Sequence, residues 1–266
     1  MIVRRLLAPV ALLVLPVACG RGGGTTAPSE LVRVLDGIAG TPVPGEPLRA
    51  APGDRVTVQR EGYLRRDTVV RSERTISLWP VTVDEAFVRT LVYGEAAAGN
   101  RLVRWATPSV PVSRDFPADV IEAVRPWVEL VPSDTPLMTI TVDPDDPGWA
   151  QFTPEAVGFA LTQISPTDAR ILSVRLVFRA AAAVGLPGVL LHEVGHGLGL
   201  SHSARREDLM FPTTQRASPV FSADERILLT MMYRQRRAGQ RPPDDDQALA
   251  AAAAAPAAGT IVVIAR

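Results

Sequence analysis

Between residues 31 and 80 the apolar positions recur every second residue, in short runs cut by proline, glycine and aspartate: "LVRVLDG", "EPLRA", "DRVTVQREGY", "RDTVVRS" and "TISLWPV". Val56 and Val58 face one way and Thr57 and Gln59 the other, the mark of a half-buried strand. The pattern predicts a small all-β accessory unit, an antiparallel sandwich, over 31–80. Residues 81–100 form a connector, helical around "VDEAFVRTLVYGEA". From 101 to 240 the period alternates between two and about 3.6, which predicts an α+β domain. "RLVRWATPSVPVSRDF" reads as a strand and "PADVIEAVRPWVELV" as an amphipathic helix interrupted by Pro126. "LMTITVDP" is a second strand, "TPEAVGFALTQIS" a short helix and "ARILSVRLVF" a third strand. A helix then starts near Pro187, at a position where proline is tolerated. A last helix, "FSADERILLTMMYRQRR", opens with a capping box of Ser222 and Glu225. Residues 241–266 are a low-complexity tail whose final "TIVVIAR" is strand-like and has no evident role.

Composition narrows the function classes. Arginine plus lysine equals aspartate plus glutamate, 28 each, so no basic field points to nucleic acid. The sequence contains no lysine, so all those cations are arginine. Residues 1–19 pair a charged start (Arg4, Arg5) with an apolar run from Leu6 to Val17, the make-up of a signal peptide. They end at Cys19, the one cysteine of the chain, which rules out an internal disulfide. "LPVAC" resembles the lipobox of bacterial lipoproteins, with Pro16 as a departure from its usual leucine. That resemblance implies lipidation at Cys19 and an exported protein held on a membrane, facing periplasm or cell exterior. An ordinary secretory signal is the alternative. Residues 20–30, rich in glycine, serine and threonine, form a tether. Residues 40–70 resemble, through loose motifs, the carboxypeptidase regulatory-like domains. Tyr63 and Trp79 are the only aromatics of 31–80, too few for a sugar-binding platform.

All three histidines fall within eleven positions of "LLHEVGHGLGLSHS": His192, His196 and His202. On a helix the first two stand about 40° apart round the axis and roughly 6 Å along it, so both rings leave one face. Two imidazole nitrogens about 2 Å from one zinc ion fit that spacing. Glu193 is then placed to act on a water without ligating the metal. His202 can join the pair only if the helix breaks, and Gly199 stands where the break is needed, glycine tolerating positive φ. Five fixed positions of this kind arise by chance on the order of once in a hundred thousand chains of this length.

The pattern His192, Glu193, His196, Gly199, His202 resembles the signature of the metzincin metallopeptidases, and "HEVGHGLGLSHS" is most similar to the matrixins. Met210, eight residues beyond His202, stands at the place of that clan's Met-turn. The resemblance implies a metzincin-type catalytic domain: a twisted, mostly parallel sheet, an active-site helix and a C-terminal helix. It also implies one catalytic zinc held by the three histidines, Glu193 as general base, and a polypeptide substrate cut by a monomeric enzyme. By analogy the substrate lies extended along an edge strand, placed here at 171–178 with Ser173 and Arg175. Phe211 and Pro212 open a loop to Ser218 that walls the pocket beyond the cut, and the bare Gly188 implies a roomy one. Three features depart from the family. There are no histidines for a second zinc site, no thiol for a cysteine switch other than Cys19 of the export signal, and no recognisable calcium loop. "DPDDPG" (143–148) alone keeps calcium open, with a solvated turn as the plainer reading. Phe211 in place of tyrosine excludes a tyrosine ligand there. Two other functions compete with an endopeptidase: a zinc amidase acting on cell-wall material, and a non-catalytic surface-binding lipoprotein with a structural zinc.

Overall fold

The computed structural model describes residues 29–37, 39–63, 66–80, 84–94, 98–213, 219–234, 236–240 and the backbone of 262–265. The signal segment with Cys19, most of the tether and of the low-complexity tail, and residues 214–218 of the pocket loop lie outside the described residues. No helix among the described residues is long and apolar enough to cross a membrane.

The first strands are β1 (Glu30–Asp36), β2 (Leu48–Ala50), β3 (Arg55–Val58), β4 (Arg66–Val69) and β5 (Thr75–Leu78). All-β character is as expected over 31–80, but the pairing is not antiparallel throughout. β2 lies antiparallel to β1, whereas β5 joins the other side of β1 in parallel, with Arg33 opposite Thr75 and Asp36 opposite Leu78. β3 and β4 form a separate antiparallel pair. Val32, Val34, Val58, Val70, Ile76 and Leu78 form a common apolar cluster, which is where the period-two positions point. Trp79 is buried in the larger core of the molecule and Tyr63 donates to Asp36 (3.0 Å), so neither ring is a surface platform.

Helix α1 (Glu85–Tyr93) is capped by Asp84, whose carboxylate accepts from the Ala86 N–H. Next come β6 (Ser109–Val112), α2 (Ala118–Val124), β7 (Glu129–Pro132), β8 (Met138–Val142), β9 (Gly158–Ile164) and β10 (Ile171–Phe178). Two short stretches, α3 (Ala181–Val184) and α4 (Val189–Gly197), precede α5 (Ala223–Arg234) and β11 (Val262–Ala265). Among the described residues the main sheet runs β11-β9-β10-β8-β6-β7. β7, β6, β8 and β10 are parallel, while β9 is antiparallel to β10 and β11 antiparallel to β9. This mixed, mostly parallel sheet with few helices agrees with the α+β expectation and with a metzincin-type domain.

Several local expectations are corrected. Residues 153–165 are not helical; their second half is strand β9 (Gly158–Ile164). The helix of 117–131 stops at Val124, two residues before Pro126, and "ELVP" becomes β7. Only Ser109–Val112 of 101–116 pairs as a strand. The sheet order also corrects the substrate edge: 171–178 is β10, an interior strand flanked by β8 and β9.

Candidate metal centre and active-site cleft

Helix α4 carries His192, Glu193 and His196 and is buried along its whole length. It begins at Gly188, whose φ of +72° is left-handed. A Cβ there would stand 2.8 Å from Pro219 Cα and 3.2 Å from Leu209 Cδ1. Glycine is therefore required by backbone conformation and close approach, and Gly188 does not line the cleft.

The helix ends where the sequence said it must. Gly199 has φ +102°, and a Cβ on it would lie 1.9 Å from the Val103 carbonyl oxygen. The orphan carbonyls of the last turn are taken up by other elements. The Trp105 indole N–H donates to Gly197 O (2.9 Å) and the Tyr233 hydroxyl to Leu198 O (2.8 Å). Burial pushes the Tyr233 phenol far above its ordinary pKa, so it stays a donor. The Ser201 N–H donates to Leu91 O of α1, tying the returning chain down just before His202.

The three rings converge. Their candidate ligand nitrogens all lie within 4.8 Å of one another, the only such grouping of histidine, cysteine, aspartate or glutamate among the described residues. Nδ1 of His192 meets Leu209 O at 2.7 Å, and Nδ1 of His196 meets Leu200 O at 2.8 Å. A carbonyl only accepts, so these Nδ1 atoms carry the proton and the lone pair sits on Nε2. Nε2 of His196 and Nε2 of His202 are 3.2 Å apart. Two nitrogens bound to one tetrahedral zinc at about 2.0–2.1 Å stand about 3.3 Å apart, so the donor set and its spacing fit that ion. The backbone carbonyls that fix the two buried rings supply the outer support such sites need.

Beneath the rings Met210 fits against Gly195, where an added Cβ would meet its Sδ at 2.4 Å. Glu225 holds that turn. Its carboxylate accepts from the N–H groups of Leu209 (3.0 Å), Met210 (2.7 Å) and Ser222 (2.6 Å), and its own N–H donates to Ser222 Oγ. The capping box was legible, but its second task of positioning the Met210 turn was not. Burial raises the Glu225 pKa above the ordinary range, against the opposing pull of those three N–H donors. Asp208, also buried, accepts from Ser203 Oγ, and Ser203 N–H donates to Met210 O, so the two ends of the loop from His202 to Met210 are cross-linked.

The cleft over the rings has a volume of about 560 Å³. One wall is the stretch from Gln151 to Gly158, the other Pro212 and Thr213, and Val189, His192, Glu193, His196 and His202 form its floor. Gly158 faces Glu193: a Cβ there would be 3.1 Å from Glu193 Oε1 and 3.0 Å from Phe178. Of the residues assigned to substrate, Pro212 lines this cleft and Phe211 does not. Ser173 and Arg175 sit on the interior strand β10. Ser173 donates to Gln163, and Arg175 forms an ion pair with the buried Asp146. That pair gives the acidic turn 143–148 a structural use, and Asp146 also accepts from the Gly148 N–H.

No curated protein matches the chain. The family model of the matrixins matches residues 140–234, so the segment from within β8 through α5, with all three histidines, Glu193, Gly199 and Met210, is matrixin-like, and together with the three-histidine site it points to a zinc metallopeptidase domain.

Proposed function

We propose that the protein is an exported, lipid-anchored zinc endopeptidase with Glu193 as its general base. The observation that supports this most is the position of Glu193. It follows His192 on the same helical turn, and its carboxylate faces the open cleft beside Gly158 instead of completing a fourth protein ligand. A structural zinc would be closed by four protein ligands; three histidines leave one position for chemistry. When bound there, zinc polarises the scissile carbonyl and lowers the pKa of a water towards about 7. Glu193 orients the attacking water, accepts its proton as the new C–O bond forms, and delivers that proton to the amide nitrogen as the C–N bond breaks. The walls at Gln151–Gly158 and Pro212–Thr213 flank the bond on its two sides. His192 and His196 keep their orientation throughout, because their Nδ1–H bonds are to backbone.

The test is cleavage of a mixed denatured-protein substrate by the zinc-loaded full chain in detergent, beside Glu193→Ala. Cutting by the wild type alone, with equal zinc in both, is the expected result. Equal zinc with no cutting by either would refute the endopeptidase reading, leaving a cell-wall amidase or a binding lipoprotein. The mass of the mature N-terminus decides whether Cys19 carries lipid.

A further inference from the structure

The strand-like "TIVVIAR", which the sequence left without a role, has one in the fold. Val262–Ala265 forms β11, which pairs with the outer edge of β9. Val262 stands opposite Ile164 and Ala265 opposite Leu161, so the segment runs along β9 towards Gly158. Gly158 lies three residues past Leu161, about 10 Å along the strand, and it faces Glu193. The edge that β11 covers is therefore continuous with the cleft wall, and a polypeptide lying on it is aimed at the histidines. An outermost strand offers a row of backbone N–H and C=O groups to any extended chain. Residues 260–265 (TIVVIA) are uncharged and rich in β-branched residues, suited to strand addition, with Arg266 directly after them.

From this geometry we infer that Val262–Ala265 is an intramolecular competitor: it occupies the track by which an extended polypeptide reaches the metal centre and must leave β9 before a substrate can use it. The 21 residues 241–261 joining it to the domain can span roughly 70 Å when extended, enough to let it dock and to let it go. A tethered strand acts at an effective concentration in the millimolar range, so a free peptide of similar affinity meets strong competition. Substrates that bind through few contacts outside β9 are then excluded, and activity waits for whatever draws the segment away. The inference rests on the peptidase reading for its consequence, though not for its binding event.

The test uses the full chain in a Cys19→Ser background. Gln163→Cys with Val263→Cys places two thiols directly opposite in the observed register. Mild oxidation should close that disulfide, read by thiol titration and non-reducing peptide mapping. A second variant, Val263→Pro with Ala265→Pro, removes two N–H donors from the segment. A fluorescent peptide of sequence TIVVIA is then titrated into the metal-free proteins. We expect the proline variant to bind it on the order of tenfold more tightly than wild type, or better. The oxidised pair should bind none until reductant is added. In the zinc-loaded proteins KM for an extended peptide should fall in the same order while kcat stays put. A disulfide that does not form, or peptide binding unchanged by the proline substitutions, overturns the inference. Peptide binding that follows the expected order with no cleavage in any form would sustain it and refute the peptidase reading instead.

Discussion

Replacing Gly199 by alanine tests whether the break after α4 is what brings His202 to the other two histidines. Two costs can be separated. The first is conformational: φ is +102°, where a residue with a Cβ is strained by about 1–3 kcal/mol. The second is steric. The new Cβ would stand 1.9 Å from Val103 O, and contacts under 3.0 Å essentially do not occur, so the turn or the Leu102–Arg104 segment must move by about 1 Å. Val103 and the turn residues Leu198 and Leu200 are all fully buried, so the movement is shared by that segment and the turn and disturbs the turn's packing. His202 lies three residues on. The two costs together come to roughly 3–5 kcal/mol, or a fall in Tm of about 6–15 °C for a chain of this size. Gly62→Ala is the control: φ is +78° but nothing lies within 4 Å of the added Cβ, so it carries only the conformational cost. The assays are thermal unfolding of the metal-free chain and zinc affinity by competition with a chelator. Gly199→Ala should lose about 2 kcal/mol more stability than Gly62→Ala does, the steric share alone, and weaken zinc binding by at least about tenfold, a displaced ligand being worth more than about 1.4 kcal/mol. Equal losses in the two variants, with zinc affinity unchanged, would refute the argument that this glycine is a steric necessity of the centre.

Three further outcomes follow from the packing. Glu225 has a raised pKa, so between the ordinary carboxylate value of 4.5 and its own the folded state binds more protons than the unfolded one. Stability should therefore fall as pH rises through that window, and Glu225→Gln should remove the slope while costing about 1–3 kcal/mol at neutral pH, one amide oxygen serving three N–H donors; denaturant titrations at several pH values check both. Trp105→Phe leaves the Gly197 carbonyl buried without its indole donor and should cost about 1–3 kcal/mol with little change in zinc content. Gly158→Ala puts a methyl group 3.1 Å from Glu193 Oε1 and 3.0 Å from Phe178, so the carboxylate must give by a few tenths of an ångström and kcat should fall several-fold, about 3- to 10-fold; a fall in Tm with kcat intact would contradict that placement.

What the sequence disclosed and what it hid separate along physical lines. The His192–His202 motif was legible because helical spacing and one glycine decide where the ligands go. Met210 and the Ser222–Glu225 box were legible as local signals. The strand β9 was not, because its alternation is masked: Phe159 and Ala160 are both buried. One face of β9 packs on α4, and Phe159 packs edge-on to Trp149 (4.5 Å) and stacked on Phe152 (4.9 Å). A strand covered on both sides reads as an apolar run without a period. That miss is also why the edge was assigned to β10. The parallel pairing of β1 with β5 and the caps from Trp105 and Tyr233 are long-range contacts, Trp105 lying 92 residues from Gly197. No local pattern announces a partner at that distance.

The most direct test of the central claim is the metal itself: zinc per chain, with X-ray absorption at the zinc edge, in wild type and in His202→Ala. The account predicts one zinc with three nitrogen ligands at about 2.0–2.1 Å and one light-atom ligand from solvent, falling to two nitrogens and much weaker binding in the variant. A fourth protein ligand in the wild type, or a zinc indifferent to the loss of His202, would contradict it.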